Sequence, residues 1–585
     1  MDARRRWSLA AGRPRRRADQ GRHPRRAPQA RPAGRRGRQP AGRIRGPAGV
    51  DGTLGVTAPP TLEVEAKFDV LGRAPTRALL RGHDLAGLPG IGAAREIRHL
   101  DRYLDTPEGR LRAAGWAARL RTVDADTRIQ LKRIAAPGED GVTRRTELDG
   151  PTGPDEDPAT WPTSAARRRL LQLLHGETAT VRVTVRQDRL VRDFGDVDCQ
   201  VELSLDRIAA LAGDEVAGRL TILELELRAG QLAGFERAAA HLRIQPFLSP
   251  SNATKLGWAA AVVANRTRAE ALPVIGEEDE PLSGDVPTAE VGRRILRAQL
   301  RRLLERERAF LASPGPEEIR RMRVATRRLR ATWRAFGPIF EGRTSNRVRR
   351  RLGRLGDTLS AVRDLDVLLA RLEAWVAGHA PADPGPLAGM RESIAARRAA
   401  ALVRLEAELA SPRHARSLDS FVEFVETPGL ETLPAKPPAA RLAREQLGGW
   451  IWAGFERLLA WEPMLPVADA PTLHELRIEA KRLRDLIQVA APMSSGSPDA
   501  IVASLVHVQD TLGAMNDATV TAATLRAYIA EHSGVLSPTE ARAVTRFAID
   551  QERAAERLRR RVPSAWGRAT SPLARRRIGR FIGGF

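Results

Sequence analysis

Charged and aliphatic residues alternate along TLEVEAKFDV, residues 61–70, and this pattern constrains the fold more than any other feature of the chain. Successive side chains of a β-strand point to opposite faces, so Glu63, Glu65 and Lys67 share one face and the residues between them share the other. The aliphatic face must pack against a core, whereas the charged face must meet water or a polar lumen. A single strand of this kind is consistent with either environment.

The same alternation recurs in later segments, which favours a lumen over a solvated face. Residues that share a charged or polar face are Arg119 with Arg121, Gln130 with Lys132, Arg145 with Glu147, and Glu224 with Glu226; Arg186 and Arg189 lie in a further strand-like run. Gly, Pro and Asp turns separate these runs between residues 59 and 262. We therefore predict an antiparallel β-barrel tunnel over 59–262, with the charged faces around a polar lumen.

A lumen with both signs of charge suits a phosphate-rich ligand together with a divalent cation, because charges buried without partners are costly. Carboxylates bind hard cations such as Mg²⁺ or Mn²⁺, and Glu63, Glu65, Glu224 and Glu226 are the candidate metal ligands. Lys and Arg bind phosphate oxygens. Phosphoryl transfer depends mainly on positioning and charge neutralisation, which such a lumen provides. The chain has no P-loop sequence, which argues against that class of nucleoside triphosphatase.

Residues 61–260 resemble the CYTH family, the triphosphate tunnel metalloenzymes. The opening Glu-x-Glu-x-Lys of that family corresponds to Glu63, Glu65 and Lys67, and its late Glu-x-Glu corresponds to Glu224 and Glu226. The other matching residues are Tyr103, Asp105, Thr106, Arg119, Arg121, Lys132, Arg145, Glu147, Arg186, Arg189 and Asp206. The closing Ser-Lys segment of the family is altered here to SNATKLGW, which retains Ser251 and Lys255 at a different spacing.

The resemblance implies an eight-stranded tunnel that hydrolyses inorganic triphosphate or short polyphosphate with Mg²⁺ or Mn²⁺. It implies catalytic roles for Glu63, Glu65, Lys67, Arg145 and Glu147. It implies triphosphate binding by Lys67, Arg119, Arg121, Lys132, Arg145, Arg186, Arg189 and Lys255. Some relatives hydrolyse thiamine triphosphate or make cyclic AMP, and these activities remain alternatives, as does a tunnel that binds polyphosphate without cleaving it.

A polar linker over 263–286 leads into long amphipathic patterns that predict an all-α domain over 287–562. This domain contains an internal repeat. IRRMRVATRRLRATWRAF from Ile319 matches LHELRIEAKRLRDLIQVA from Leu473, and GDTLSAVRDLD from Gly356 matches QDTLGAMNDAT from Gln509. The two offsets, 154 and 153 residues, are nearly equal, which predicts two related halves.

Each half carries a stripe of basic residues along one helical face. The first stripe is Arg320, Arg323, Arg327 and Arg330, widened by Arg328; the second stripe is His474, Arg477, Lys481 and Arg484, widened by Arg482. Like charges at these spacings repel one another, so two equivalent stripes favour an anion-binding surface. The motifs resemble the CHAD family of helical domains, which implies binding to inorganic polyphosphate, although Arg320 stands where that family has a histidine.

The composition limits the classes of binding partner and indicates the nature of the two terminal segments. A net charge of +25 indicates an anionic partner. Only 4% of the residues are aromatic, which supplies a stacking platform poorly and ranks nucleic acid below polyphosphate. No apolar run is long enough to span a membrane. Cys199 is the single cysteine, which excludes an intramolecular disulfide and fits a reducing cytoplasm. We predict a cytoplasmic protein that associates with polyphosphate granules. Residues 1–58 are predicted to be a disordered Arg-rich tail and residues 563–585 a basic tail.

Overall fold

The computed structural model describes residues 61–585 except residues 137, 139–140, 154, 156, 276–281, 341, 380–386 and 433–440. The predicted Arg-rich tail, residues 1–58, therefore lies outside the described residues, and so does part of the predicted linker. The described residues form a strand-rich domain followed by a helical domain, and this arrangement confirms the predicted α+β organisation.

Eight of the described strands close into an antiparallel barrel, which confirms the predicted barrel tunnel. The strands in chain order are β1 (Thr61–Val70), β2 (Asp84–Leu85), β3 (Leu88–Asp105), β4 (Trp116–Val123), β5 (Asp126–Arg133), β6 (Val142–Pro151), β7 (Thr180–Gly195), β8 (Cys199–Ala212), β9 (Glu215–Gly230) and β10 (Leu248–Pro250). Around the barrel the order is β1, β6, β5, β4, β3, β7, β8 and β9, and β9 pairs with β1 to close it. The short strands β2 and β10 pair with β3 and β1.

The hydrophobic core of this domain lies outside the barrel, between the sheet and the helices that cover it. These helices are α1 (Arg73–Arg81), α2 (Arg110–Ala113), α3 (Ala165–Leu174) and α4 (Leu232–Arg243). Phe68, Leu203 and Phe235 are fully buried in the part of the core that α1 and α4 cover. Leu120 of β4 and Leu170 of α3 are buried in the part of the core that α2 and α3 cover. Because strand side chains alternate, this outward packing of the aliphatic residues directs the charged residues into the barrel.

A fifth helix, α5 (Lys255–Ala271), covers one end of the barrel. Its first turn lines the lumen. Ala259 is fully buried against inward-facing aliphatic residues of β7 and β8, including Val185 and Ile208. The barrel is therefore closed at this end by apolar packing, and its interior is polar only beyond Lys255.

The same helix continues into the helical domain. It runs nine residues past the predicted barrel boundary at residue 262, so the predicted linker 263–286 begins as helix. Beyond its end, Ile275 is buried in the core of the helical domain. Arg308 of that domain donates hydrogen bonds to the carbonyl oxygens of Leu272 and Pro273, at 2.9 and 2.7 Å. These contacts tie the end of α5 to the helical domain.

The described part of the helical domain is built from two equivalent helix pairs and additional packing helices. The helices are α6 (Thr288–Ala312), α7 (Pro316–Phe336), α8 (Arg343–His379), α9 (Ala388–Leu409), α10 (Pro412–Glu426), α11 (Ala443–Leu459), α12 (Ala470–Ala490), α13 (Asp499–Glu531), α14 (Pro538–Arg559), α15 (Val562–Thr570) and α16 (Pro572–Ile582). The sequence repeat places α7 and α8 in the first half and α12 and α13 in the second. Helices α7 and α12 pack against each other, so the two halves meet along the helices that carry the stripes.

The segment predicted as a basic tail, residues 563–585, instead forms most of α15 and all of α16. Trp566, Ile578 and Phe581 are buried in the core of the helical domain. The prediction is wrong because arginines mask an apolar spacing at Ala574, Ile578 and Phe581, which lies on one face of a helix. No helix among the described residues has both the length and the apolar character needed to cross a membrane.

Candidate active site and basic surface

The barrel encloses a cavity of about 1240 Å³, and the inward-facing side chains of its strands form the wall. The predicted site residues that line this lumen are Glu63, Glu65, Lys67, Arg119, Arg121, Lys132, Arg145, Glu147, Arg189, Glu224, Glu226 and Lys255. Charges in so enclosed a space must compensate one another, because isolated buried charges are costly.

Glu63 and Glu65 of β1 share a cation from the neighbouring strand. Arg145 of β6 contacts Glu63 at 2.7 Å and Glu65 at 2.8 Å. Lys132 of β5 contacts Glu63 at 2.6 Å and Glu147 at 3.4 Å. Burial opposes ionisation of Glu63, but Lys132 and Arg145 outweigh it and hold the pKa of Glu63 well below its ordinary value. Glu63 is therefore a carboxylate at neutral pH.

A second group of ion pairs surrounds Glu224 of β9. Lys67 contacts Glu65 at 3.0 Å and Glu224 at 3.1 Å. Lys255 at the start of α5 contacts Glu224 at 2.9 Å and Asp206 at 2.5 Å. Burial opposes the charge of Lys67, but Glu224 and Glu65 raise the pKa of Lys67 above its ordinary value. Helix α5 thus contributes a cation to the covered end of the lumen.

Asp101 of β3 is fully buried and holds the arginine pair of β4. Its carboxylate accepts hydrogen bonds from Arg119 at 3.1 Å and from Arg121 at 2.8 and 2.7 Å. Gln187 donates another at 2.5 Å. Burial opposes ionisation, but Arg119 and Arg121 hold the pKa of Asp101 well below its ordinary value. Burial, with Arg121 contributing, lowers the pKa of His99 to about 3, so this neighbouring imidazole is neutral.

Three carboxylates occupy neighbouring positions on adjacent strands. The register pairs Glu65 of β1 with Glu226 of β9, and Glu226 with Glu202 of β8. Directly opposed residues of antiparallel strands have Cβ atoms about 5 Å apart. Arg228 contacts Glu202 and Glu226 at 2.6 Å each. Burial raises the pKa of Glu226 to about 7, with Arg228 opposing the rise and Glu63 adding to it.

These acids offer oxygen donors to a hard cation, but ion pairs occupy them. Among the described residues, no three acidic, His or Cys side chains are gathered closely enough to hold a metal ion. The buried Oε1 atoms of Glu65 and Glu224 accept no directed hydrogen bond from the described part of the chain, and both contact the Lys67 ammonium. Hard cations prefer such oxygens. The donor chemistry therefore fits Mg²⁺ or Mn²⁺, provided that Lys67 moves from the carboxylates to a phosphate and that Arg145 also releases the Oε1 atom of Glu65.

Arg186 lies outside the lumen, contrary to the prediction from the sequence. Strand β7 buries Gln187 and Arg189 on its inner face, and Arg186 is exposed on the outer face. Arg186 and Arg189 are three residues apart, so a regular strand cannot direct both to the same side. Arg189 donates hydrogen bonds to Asp206 at 2.7 Å and to Ser204 at 2.6 Å.

The charged and polar residues of the barrel interior that are absent from the predicted set include Asp101, Gln187, Glu202 and Arg228. The alternation of their strands carries the signal that identifies them. Glu202 shares a face with Asp206 in VELSLD, and Arg228 extends the alternation of Glu224 and Glu226 in ELELR. Asp101 likewise lies between His99 and Tyr103 on the inner face of β3.

The two basic stripes lie on α7 and α12 and meet where these helices pack. Burial lowers the pKa of Arg327, and Arg484 of the opposite helix contributes to this shift. Burial likewise lowers the pKa of Lys481 to about 7, with Asp485 opposing and Arg327 contributing. Cations of the two stripes therefore repel one another across the contact between the halves.

The members of the stripes differ in exposure and pairing. Arg323, Arg327, Arg330, His474, Arg477, Lys481 and Arg484 are partly buried, and Arg320, Arg328 and Arg482 are exposed. Arg320 pairs with Glu317 at 2.7 Å, and Arg482 pairs with Glu479. The buried Nε atoms of Arg477 and Arg484 have no acceptor among the described residues. The partly buried members thus retain donors for an anion.

The fold and the lumen define the class of protein: a charged β-barrel tunnel followed by a helical domain of two halves. The CYTH domain model matches residues 61–255, and the CHAD domain model matches residues 294–526. The chain therefore contains a CYTH domain followed by a CHAD domain, and this confirms the resemblance found in the sequence. CYTH proteins are triphosphatase or cyclase tunnel enzymes and are generally metal-dependent.

Several solved structures are similar to parts of the chain. PptA from Streptomyces chartreusis is 19% identical, with 48% of this chain and 99% of that protein covered and a TM-score of 0.40. The CHAD domain from the plant Ricinus communis is 21% identical, with 50% and 96% covered and a TM-score of 0.42. A Hippeastrum protein described as a candidate adenylyl cyclase that reveals a dominant triphosphatase activity is 18% identical, with 33% and 93% covered and a TM-score of 0.24. No curated protein matches the sequence.

Proposed function

We propose that the barrel hydrolyses inorganic triphosphate or short polyphosphate in a metal-dependent reaction. The observation that carries this proposal is the composition of the lumen, in which buried lysines and arginines are each held by buried carboxylates. A polyanion can replace these carboxylates as the partner of the cations, and a divalent cation can replace the lysines and arginines as the partner of the carboxylates. Such an exchange leaves no buried charge uncompensated.

The positions of the side chains suggest separate roles in this reaction. Arg119 and Arg121 present two guanidinium groups from one strand, a geometry suited to bidentate contact with phosphate oxygens. Lys132 and Arg145 provide cations from the next two strands. Glu226 can accept a proton near neutral pH because its pKa is about 7.

Mg²⁺ or Mn²⁺ would be held by Glu63, Glu65, Glu224 and Glu226, and it would polarise phosphate oxygens and activate water. Arg145 positions two of these ligands, since it contacts both Glu63 and Glu65. Loss of Arg145 should therefore weaken both phosphate binding and the arrangement of the carboxylates.

A panel of substrates tests the proposal on the full chain. Triphosphate, long-chain polyphosphate, ATP and thiamine triphosphate are each supplied with Mg²⁺ or Mn²⁺, and phosphate and cyclic AMP are measured. We expect the fastest metal-dependent phosphate release from triphosphate. Release of cyclic AMP from ATP would favour a cyclase, preferential hydrolysis of thiamine triphosphate would favour that activity, and binding without turnover would favour a non-catalytic tunnel.

We infer that the helical domain binds inorganic polyphosphate. This inference rests on the partly buried cations of the two stripes, which converge where α7 and α12 pack, and on the buried Nε donors of Arg477 and Arg484. A chain of closely spaced phosphates offers acceptors at both stripes together. Burial is the main cause of the lowered pKa of Lys481, and a bound polyanion would offset the repulsion from Arg327 that adds to it.

Two triple variants test this inference on the full chain. One replaces Arg323, Arg327 and Arg330 with Ala, and the other replaces Arg477, Lys481 and Arg484 with Ala. A matched control replaces Arg391, Arg397 and Arg404, three exposed arginines of α9, with Ala. Both stripe variants should bind long-chain polyphosphate more weakly than the control and with a shallower salt dependence, because fewer counterions are released. Equal binding by all three variants would assign the stripes a structural role.

A further inference from the structure

A pocket of about 560 Å³ lies between the end of α7 and the start of α8. Its wall includes Arg330, Trp333 and Arg334 from α7 and Asn346, Arg349 and Arg350 from α8. Arg330 also belongs to the first stripe, so the pocket adjoins the polyphosphate-binding surface proposed above. The remaining lining arginines belong to neither stripe.

The pocket has a large excess of positive charge. In the described part of the chain Arg349 and Arg350 form no ion pair, and the Asp357 carboxylate is 3.9 Å from Arg330. Arg334 forms no direct ion pair either, but Asp485 and Glu479 of α12 lie near enough to act on its charge. A smaller cavity lined by Arg343, Arg347 and Arg350 adjoins it along α8. Cations on successive turns of one helix repel one another. A bound anion would turn this repulsion into attraction.

A buried donor in the same pocket also points to an anion. Trp333 is 2% exposed, and its indole Nε1 has no acceptor among the described residues. Leaving such a donor unsatisfied is unfavourable. The indole edge approaches the backbone at Gly337, and the guanidinium carbon of Arg349 approaches the same position. The absence of a side chain at Gly337 keeps this space open between the two donors.

We propose that the pocket is a phosphate-binding subsite that extends the polyphosphate-binding surface from the first stripe across the turn between α7 and α8. Arg330 joins the two sections, Arg334, Arg349 and Arg350 bind phosphate oxygens electrostatically, and the Trp333 indole N–H donates to an oxygen at the floor. The ligand is polyphosphate that already occupies the stripes, so this proposal rests on polyphosphate binding by the helical domain. A free phosphate ion shares the same chemistry and is the other source to be distinguished.

The test uses the full chain and the double variant Arg349→Ala/Arg350→Ala. Both side chains are exposed, so their removal should leave the fold intact. The matched control is Arg576→Ala/Arg577→Ala, which removes the same charge from exposed neighbouring positions on α16. A third variant, Trp333→Phe, preserves an aromatic ring in the core and removes the indole N–H together with part of the bicyclic ring, so its thermal unfolding midpoint is measured beside its binding. Binding of fluorescent long-chain polyphosphate is measured over a series of salt concentrations.

The Arg349→Ala/Arg350→Ala variant should bind long-chain polyphosphate roughly tenfold more weakly than the control, as expected if two solvent-exposed ionic contacts are lost. Its logarithmic salt dependence should be shallower by roughly 1 to 2, at about 0.7 for each phosphate contact by analogy with single strands. Trp333→Phe should weaken binding by a smaller factor without changing the salt dependence, because it removes no charge. Indistinguishable behaviour of Arg349→Ala/Arg350→Ala and the control would overturn the proposal.

Two further arms separate this result from its alternatives. Inorganic phosphate alone should compete with polyphosphate only weakly, and strong competition would reassign the pocket to free phosphate. If the unmodified chain and both stripe variants bind no polyphosphate, the proposed function of the helical domain fails. If the unmodified chain binds and only the stripe variants are impaired, the stripes retain their role and the pocket alone is excluded.

Discussion

Replacing Asp101 with Asn should destabilise the barrel and increase its affinity for triphosphate. Asp101 is fully buried, and its carboxylate is the shared partner of Arg119 and Arg121. Asn has nearly the same shape but no charge, so the substitution leaves two guanidinium groups undercompensated in an enclosed lumen. The same loss raises the positive charge that faces a bound polyanion.

The expected magnitude follows from the geometry. Removing one partner of a buried ion pair costs about 3–5 kcal/mol. Arg119 keeps its 2.9 Å hydrogen bond to Gln130, and Gln187 can still donate to Asn, so we expect the lower end of that range. For a domain of this size, about 3 kcal/mol lowers the unfolding midpoint by about 6 to 12 °C. A saturating polyanion should recover part of this loss, because a ligand at one hundred times its Kd adds about 2.7 kcal/mol.

Thermal unfolding of the full chain, with and without triphosphate, measures both effects. Asp193→Asn is the matched control, since Asp193 forms a partly exposed pair with Arg95 at 2.6 Å and should cost less than about 1 kcal/mol. The folded-state pKa of Asp101 is depressed. Its contribution is therefore complete above the unfolded-state pKa of about 3.9 and is lost as the pH falls through the folded-state pKa. The difference between wild type and variant should stay constant from about pH 8 to about pH 5.

Two results would refute this reasoning. A midpoint for Asp101→Asn within experimental error of the Asp193→Asn midpoint would show that Arg119 and Arg121 do not need the carboxylate. Weaker triphosphate binding by Asp101→Asn than by wild type would show that Asp101 positions the arginines more than it neutralises them.

Three further predictions concern the acids of the lumen and the boundary of the barrel. Glu65→Gln or Glu226→Gln should abolish most metal-dependent turnover while triphosphate binding persists, because the lysines and arginines remain. Titration calorimetry measures the binding, and a phosphate assay measures the turnover. Unimpaired turnover in both variants would exclude the carboxylate model. Because burial raises the pKa of Glu226 to about 7, its carboxylate is protonated below that pH. Divalent-cation affinity should therefore rise between about pH 6 and about pH 8, and this rise should be lost in Glu226→Gln. Finally, a fragment ending at residue 262 cuts α5 in two and should unfold at a lower temperature than a fragment ending at residue 275, which keeps the whole helix; equal midpoints would show that the second half of α5 does not stabilise the barrel.

The amino-acid pattern alone predicts the charged inner face of the barrel and the two basic helical stripes. The alternation of Glu63, Glu65 and Lys67 with aliphatic residues follows from covalent geometry, since a strand directs neighbouring side chains to opposite faces whatever it pairs with. The steps of three and four residues in the stripes follow in the same way from the helical repeat. Such patterns are local, so most of the predicted lumen residues could be assigned to an inner face without knowledge of the fold, whereas Lys255 of α5 could not.

Strand pairing and helix packing determine which of these residues contact one another and which additional residues line the lumen. Asp101 and Gln187 are 86 positions apart in the chain, and only the pairing of β3 with β7 brings them together. The side-chain alternation of β7 directs Arg186 away from the lumen, and the path of α5 brings Lys255 to Glu224. The contacts between these residues depend on strand register and helix packing, which are set by the burial of apolar surface between distant segments and which the periodicity of a single strand or helix does not specify.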